Sequence, residues 1–220
     1  MTYSQYNDYI IGTLQGHIVD TKVKTRRSEQ KEATREQILE AAKMLLAEHG
    51  YAALRVAAVA AKAEISLGGL LHHFPTKDAL VIAVLERLSA HVLHLAIQEA
   101  SRASTNEDIF SPISRSAERF YAAPEFLMYL DIFLSGRRHT EIGDTAIRLL
   151  PSQRAAMEEL WKPRLTERGI SDEHAVLIIR SLWALSRGLA LSSTTDHDKP
   201  NNQETVNFVL NALRQTYGKK

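Results

Sequence analysis

The chain of 220 residues contains no cysteine. Disulfides, thiolate zinc sites and cysteine nucleophiles are therefore excluded, and the composition suits a reducing cytoplasm. Glycine and proline are scarce, at 10 and 6 residues. Alternating β-branched runs are nearly absent, which points away from strands and toward an all-α fold. No stretch reads as a membrane span. The best candidate, Ala175–Ser193, holds Arg180 and Arg187 and reads as a buried helix. The opening MTYSQYNDYIIGTLQGH lacks a basic start followed by an apolar core, so no secretory signal is expected. Also missing are His-Glu-x-x-His, Gly-x-Ser-x-Gly and a glycine-rich phosphate loop followed by Lys-Ser/Thr. No catalytic residue, cofactor or metal is expected, although His91 and His94 stand three apart on one helix.

Net charge is only +1, so the molecule is no polycation. Its charge is unevenly placed. Lys22, Lys24, Arg26, Arg27, Lys31 and Arg35 crowd together, opposed nearby by Asp20, Glu29 and Glu32. Such a basic arm is either a solvated tail or a small nucleic-acid footprint. Residues 1–30 show no sustained period and read as an extension. Thr34 and Gln37 have the spacing of a capping box, which places the first helix start at Thr34. Gly50 is placed to end that helix. A short helix of small residues then spans about Val56–Ala63. Further helices are expected at about 106–121, 125–138, 144–168, 172–193 and 203–217, with a polar loop at 194–202.

The densest local text is ISLGGLLHHFPTKDAL, Ile65–Leu80. Ser66 is a natural N-cap for a short helix, Leu67–His73, which Pro75 stops. Thr76 caps a fourth helix that runs to about Arg102. Helix, tight turn, short helix is the outline of a helix-turn-helix, whose second helix enters the DNA major groove. Gly68 and Gly69 cost about 1 kcal/mol each against alanine in a helix. Either they relieve crowding inside the domain, or they let the backbone come close to DNA.

The run GYAALRVAAVAAKAEISLGGLLHHFPTKDAL, Gly50–Leu80, resembles the DNA-binding signature of the TetR family of bacterial transcription regulators. The resemblance rests on Val59-Ala60, Ala63, Ile65-Ser66, Gly68, His73-Phe74, Lys77-Asp78 and Leu80, and it covers about Thr34–Leu80. Four features depart from the family pattern. Leu71 replaces a tyrosine, Leu67 a polar residue, Glu64 the usual turn glycine, and Leu54-Arg55 a Thr/Ser pair. Glu64 must therefore tolerate an awkward dihedral. The DNA-contacting candidates are Arg55, Ser66, Leu67, Gly68, Gly69, His72, His73 and Lys77, with Lys24, Arg26 and Arg27 from the arm. Lys77, in a first helical turn, is suited to a backbone phosphate, whereas Leu67 and the glycines can offer only apolar or backbone contact to bases.

The resemblance further implies three segments: the extension 1–30, a DNA-binding head 31–80, and an effector-binding and dimerisation domain 81–220. It implies a cytoplasmic homodimer on a double-stranded, near-palindromic operator, most simply a repressor released by a small-molecule effector. Wall material for an effector pocket is present in His94, Phe120, Tyr129, Phe133, Met157, Trp161, Arg180 and Trp183. Ala184, Gly188 and Ser192, four apart, and the stripe Val206, Leu210 and Leu213 are the dimer candidates, or else they finish the monomer core. The competing reading is a helical small-molecule-binding protein or enzyme with a degenerate head.

Overall fold

The computed structural model describes residues 26–103, 108–136, 140–195 and 199–218. Among them are nine α-helices and no strand, as the composition requires. They are α1 (Arg26–Ala53), α2 (Val56–Lys62), α3 (Leu67–His73), α4 (Lys77–Arg102), α5 (Phe110–Tyr121), α6 (Pro124–Gly136), α7 (Thr140–Thr166), α8 (Asp172–Thr195) and α9 (Lys199–Tyr217).

The described residues form two compact units. The first holds the chain up to Ala90 together with Leu127–Leu149. The second holds His91–Phe126 and everything from Leu150. Helices α4, α6 and α7 each contribute to both, so the division is not a single cut after Leu80.

In the first unit α1 begins at least eight residues before Thr34. Thr34 is interior, and its hydroxyl donates back to the Gln30 carbonyl at 3.0 Å. The expected capping box is thus overturned. A Ser/Thr hydroxyl inside a helix bonds the carbonyl four residues back instead of capping. Ile38, Leu39, Ala42 and Leu46 pack inward from α1 onto Val59, Leu70, Phe74 and Leu80. Gly50 breaks the helix at φ 74°, ψ 171°. This is extended, positive-φ backbone that is almost exclusive to glycine. The following amide, Tyr51 N–H, donates to the Asp131 carboxylate of α6 at 2.7 Å.

α2 ends in a tight reversal. Ile65 N–H donates to the Ala60 carbonyl and Glu64 N–H to the Ala61 carbonyl, the paired bonds of a Schellman turn. Glu64 occupies the position usually given to glycine and is the only non-glycine at positive φ among the described residues (φ 53°). The left-handed conformation costs a residue with a Cβ about 1–2 kcal/mol.

In the second unit α5 packs on α8 and α9, and α9 on α8. Asp108 starts α5. Its carboxylate accepts the amides of Phe110 and Ser111, both at 3.0 Å, and the guanidinium of Arg214 on α9, also at 3.0 Å. Burial alone would push this carboxyl up, but the bonds from Arg214 and Ser111 outweigh it and hold it below the usual range. Glu99 is buried between Arg115 at 2.7 Å and Arg119 at 3.8 Å.

Two further expectations change. Windows of α4 and α8 do reach the length and mean hydropathy of a membrane span, at 1.7 and 1.4. The α4 window is more than half buried, and that of α8 carries charge, so both are weak signals. The polar loop shrinks as well, because α8 continues to Thr195 and α9 begins at Lys199.

Candidate functional site

The head displays one short helix. Ser66 is extended, and its hydroxyl accepts the Gly69 amide at 3.0 Å, which closes the first turn of α3. Phe74 leaves the helical region and is buried, fixing the other end. Thr76 caps α4 by accepting the Ala79 amide at 3.0 Å. Leu70 is the α3 residue turned fully inward. The opposite face is Ser66, Leu67, Gly68, Leu71 and His72, all exposed. Leu67 and Leu71 are 45% and 40% exposed. Large apolar side chains gain nothing in stability from that placement.

The two glycines separate clearly. A Cβ on Gly68 would meet nothing within 4 Å, whereas one on Gly69 would lie 3.2 Å from the Ser66 hydroxyl. Crowding accounts for Gly69 and not for Gly68. At Gly68 the missing side chain leaves bare backbone on the displayed face.

The cations near this face are partly committed to the fold. Lys77 donates from Nζ to the Tyr51 carbonyl at 2.7 Å and lies 4.3 Å from the centroid of the Tyr51 ring. Burial, then the charge of Arg55, depresses its pKa. Its ammonium is thus held against Tyr51 at the start of α4. Arg55 is the N-cap residue of α2 without a side-chain cap. Its guanidinium folds back onto the carbonyls of Ala52 (3.1 Å) and Leu54 (3.4 Å). His73 is half-buried, with its ring 5.8 Å from that of His72. Burial first, then His72, Lys31 and Arg35, lower its pKa. The last three causes mark a cationic neighbourhood. Arg35 itself lies over the Phe74 ring at 4.7 Å. Of the arm, Arg26 is exposed at the start of α1, and Arg27 follows it in the helix. Lys24 lies outside the described residues, as does the side chain of Arg27.

The second unit contains a cavity of about 400 Å³. Its wall takes Tyr121 from the end of α5, Gln153, Arg154 and Met157 from α7, and Ile179, Arg180, Trp183, Ala184 and Arg187 from α8. Three of the expected wall residues, Met157, Arg180 and Trp183, are brought together here. The rest are not. Phe120 is buried beside the cavity in an aromatic cluster, its ring 6.4 Å from Trp183. Trp161 is sealed in the core. His94 is exposed and bonded to Gln98 at 2.8 Å. Tyr129 and Phe133 belong to the other unit, where Tyr129 is buried. Sequence reasoning missed Tyr121, Gln153, Arg154, Ile179 and Arg187. One signal was available: Arg180, Trp183, Ala184 and Arg187 follow i, i+3, i+4, i+7 and share a helix face.

The dimer candidates also divide. Ala184, Gly188 and Ser192 are exposed along α8, with Leu177 and Leu191 exposed beside them. Val206 and Leu210 are instead buried in the monomer core, and Leu213 is half-buried. The correction has a simple geometric cause. The inward stripe of α9 is the apolar one, and the exposed apolar residue on its other face is Phe208, 74% accessible.

Comparison with known proteins places this geometry. Residues 38–84 match the family described as bacterial regulatory proteins, tetR family. The segment spans the inward stripe of α1 from Ile38 onward, the helix-turn-helix and the start of α4. The HTH-type transcriptional regulator CymR of Pseudomonas putida is 29% identical over 196 residues, 88% of this chain and 97% of that protein. Two solved structures share the fold at low identity. A Mesorhizobium loti chain assigned to the TetR family gives a TM-score of 0.67 at 17% identity, covering 88% of this chain and 99% of that one. A Saccharomonospora viridis structure in complex with choline gives 0.64 at 19%, covering 84% and 96%. With an N-terminal helix-turn-helix head that matches the family over residues 38–84, a helical C-terminal part and this likeness along nearly the whole length of a named regulator, the chain is similar to the tetR family of bacterial regulatory proteins.

Proposed function

We propose that the protein is a homodimeric repressor that binds a near-palindromic DNA operator and is released by a small-molecule effector. The observation that carries the reading is the displayed face of α3. It is held by caps at both ends and exposes Leu67, Leu71 and the bare backbone of Gly68. Such a face is suited to close contact with thymine methyls and base edges. Lys77, His73 and Arg55, with the arm residues, are assigned to phosphates, and shape readout supplies the rest of the specificity. The exposed strip Ala184, Gly188 and Ser192, flanked by Leu177 and Leu191 and joined by Phe208 on α9, is the proposed dimer surface. Dimerisation sets two heads about one helical turn apart on DNA. The cavity of the second unit is the proposed effector site, in keeping with the choline held by a protein of the same fold. A cytoplasmic location follows from the family.

Selection of bound duplexes from a random pool, repeated at several salt concentrations, tests the reading. An enriched near-palindrome should emerge, with log affinity falling against log salt at a slope of about −0.9 per phosphate neutralised. Failure to enrich any sequence, with no salt-dependent binding, would favour the competing reading of a ligand-binding protein with a degenerate head.

A further inference from the structure

The cavity carries positive charge that its own wall does not neutralise. Arg180 gives its Nε to Glu158 at 2.7 Å and is spoken for. Arg154 and Arg187 form no ion pair among the described residues. Arg187 lies close enough to Tyr121 for its charge to offset part of the rise that burial gives the phenol's pKa. No acidic side chain belongs to the wall. Two further donors, Nε2 of Gln153 and Nε1 of Trp183, are buried and have no acceptor among the described residues. Buried donors are nearly always paired in folded proteins, and here two unpaired ones belong to a single cavity. The remaining surface is apolar or aromatic, from Met157, Ile179, Tyr121 and Trp183. The Tyr121 and Trp183 rings stand edge to face, 5.8 Å apart.

Resting on the reading of this cavity as the effector site, we infer that the effector is a small organic anion, a carboxylate carried on an apolar ring. The guanidiniums of Arg154 and Arg187 offer the fork geometry that suits a carboxylate. Gln153 and Trp183 supply neutral donors for its remaining lone pairs. The ring lies against Met157, Ile179 and the two aromatics, where offset or edge contacts are favourable. Arg154 and Arg187 are also exposed, so they attract an anion before it is bound. A cation of the same size would find the Trp183 face but would meet two unneutralised guanidiniums. A neutral analogue would leave both charges without a partner.

Calorimetry on the full chain with three matched probes tests this: 2-naphthoate, 2-naphthamide and trimethyl(2-naphthyl)ammonium. The carboxylate should bind at least about tenfold more tightly than either analogue. Arg187→Gln should remove most of that preference, and Arg180→Gln much less of it. Equal or tighter binding of the amide or the cation overturns the inference, as does failure of all three to bind. A separate variant, Gln153→Trp, fills the cavity. If it abolishes binding of whichever probes bind, the site is this cavity whatever the charge preference. If binding survives in a folded Gln153→Trp protein, the ligand sits elsewhere and the cavity reading itself fails. Circular dichroism of each variant confirms that it has folded.

Discussion

In the head, Leu67 and Leu71 stand exposed on a helix of seven residues whose ends are both fixed by neighbours in sequence. In the second unit, Phe120, Tyr121, Phe126 and Trp183 close on one another, and the charges around them are contributed from two helices, α7 and α8. The first arrangement spends apolar surface on display. The second hides apolar surface and leaves donors unpaired. Both depart from what stability alone would select, and in opposite directions. A surface that meets a large, charged partner must be open and already shaped, whereas a site for a small molecule must be concave, largely apolar and sparingly polar. On the proposed function, each departure marks the place where a different class of partner would be recognised.

The sharpest way to break the comparison is to swap burial for display within α3. Leu70 is fully buried and Leu67, three residues earlier, is exposed. Leu70→Ala should cost about 2–5 kcal/mol through lost burial and the cavity left behind. Leu67→Ala should leave stability within about 0.5 kcal/mol and change the selected DNA sequence instead. Urea denaturation paired with duplex selection reads both. If Leu67→Ala destabilises as strongly as Leu70→Ala, Leu67 is a core residue and α3 displays no apolar face.

A second test concerns the joint behind α3. Gly50 combines φ 74° with a Cβ position only 3.1 Å from the Asp131 carboxylate. Gly50→Ala should cost about 1–3 kcal/mol from backbone strain, and it disturbs the carboxylate that accepts the Tyr51 amide. Thermal unfolding checks this. A loss no larger than that of an ordinary surface glycine would mean the turn relaxes freely.

The head was legible because its signals are local. Ser66 meets Gly69 and Thr76 meets Ala79, each three residues on, so spacing alone sufficed. Glu64 could be flagged as a misfit in its turn, and it does take positive φ. The start of α1 was not legible. Its first turns are polar and largely exposed, with no apolar period to read, and Thr34 offered a cap-like pattern that the continuing helix uses differently. The cavity was legible only in part. Tyr121, Gln153 and Arg187 meet through the packing of α5, α7 and α8, and no spacing along the chain encodes that meeting. Aromatic residues were reasonable candidates for a wall, but Trp161 and Tyr129 show why type alone fails: both are buried away from the cavity wall.

Gly68 provides a test with the opposite sign. Its Cβ position is open and it lies inside α3. Gly68→Ala should therefore stabilise the head, by up to about 1 kcal/mol, while weakening operator binding because a methyl group now stands between backbone and DNA. A gain in melting temperature together with a loss in affinity would identify the glycine as retained for contact. A gain in stability with unchanged affinity would remove Gly68 from the interface.

The smallest effect is a change of slope. The Tyr51 hydroxyl donates to Asp78 at 3.1 Å. Burial, then that hydrogen bond and the negative charge of Asp78, push its pKa up from 10 to about 12. Between those values the unfolded chain gives up the phenolic proton and the folded chain keeps it. The folded state then binds more protons, so stability falls as pH rises. The contribution is complete below pH 10 and is lost as pH climbs toward 12. Tyr51→Phe should be less stable near neutrality by about 1 kcal/mol, the worth of one hydrogen bond. The gap between the two proteins should narrow as pH rises from 9 to 11, since phenylalanine has no proton to lose. Parallel denaturation curves across that range would show that Tyr51 titrates alike in both states, and that the contact between the end of α1 and the start of α4 is looser than its geometry implies.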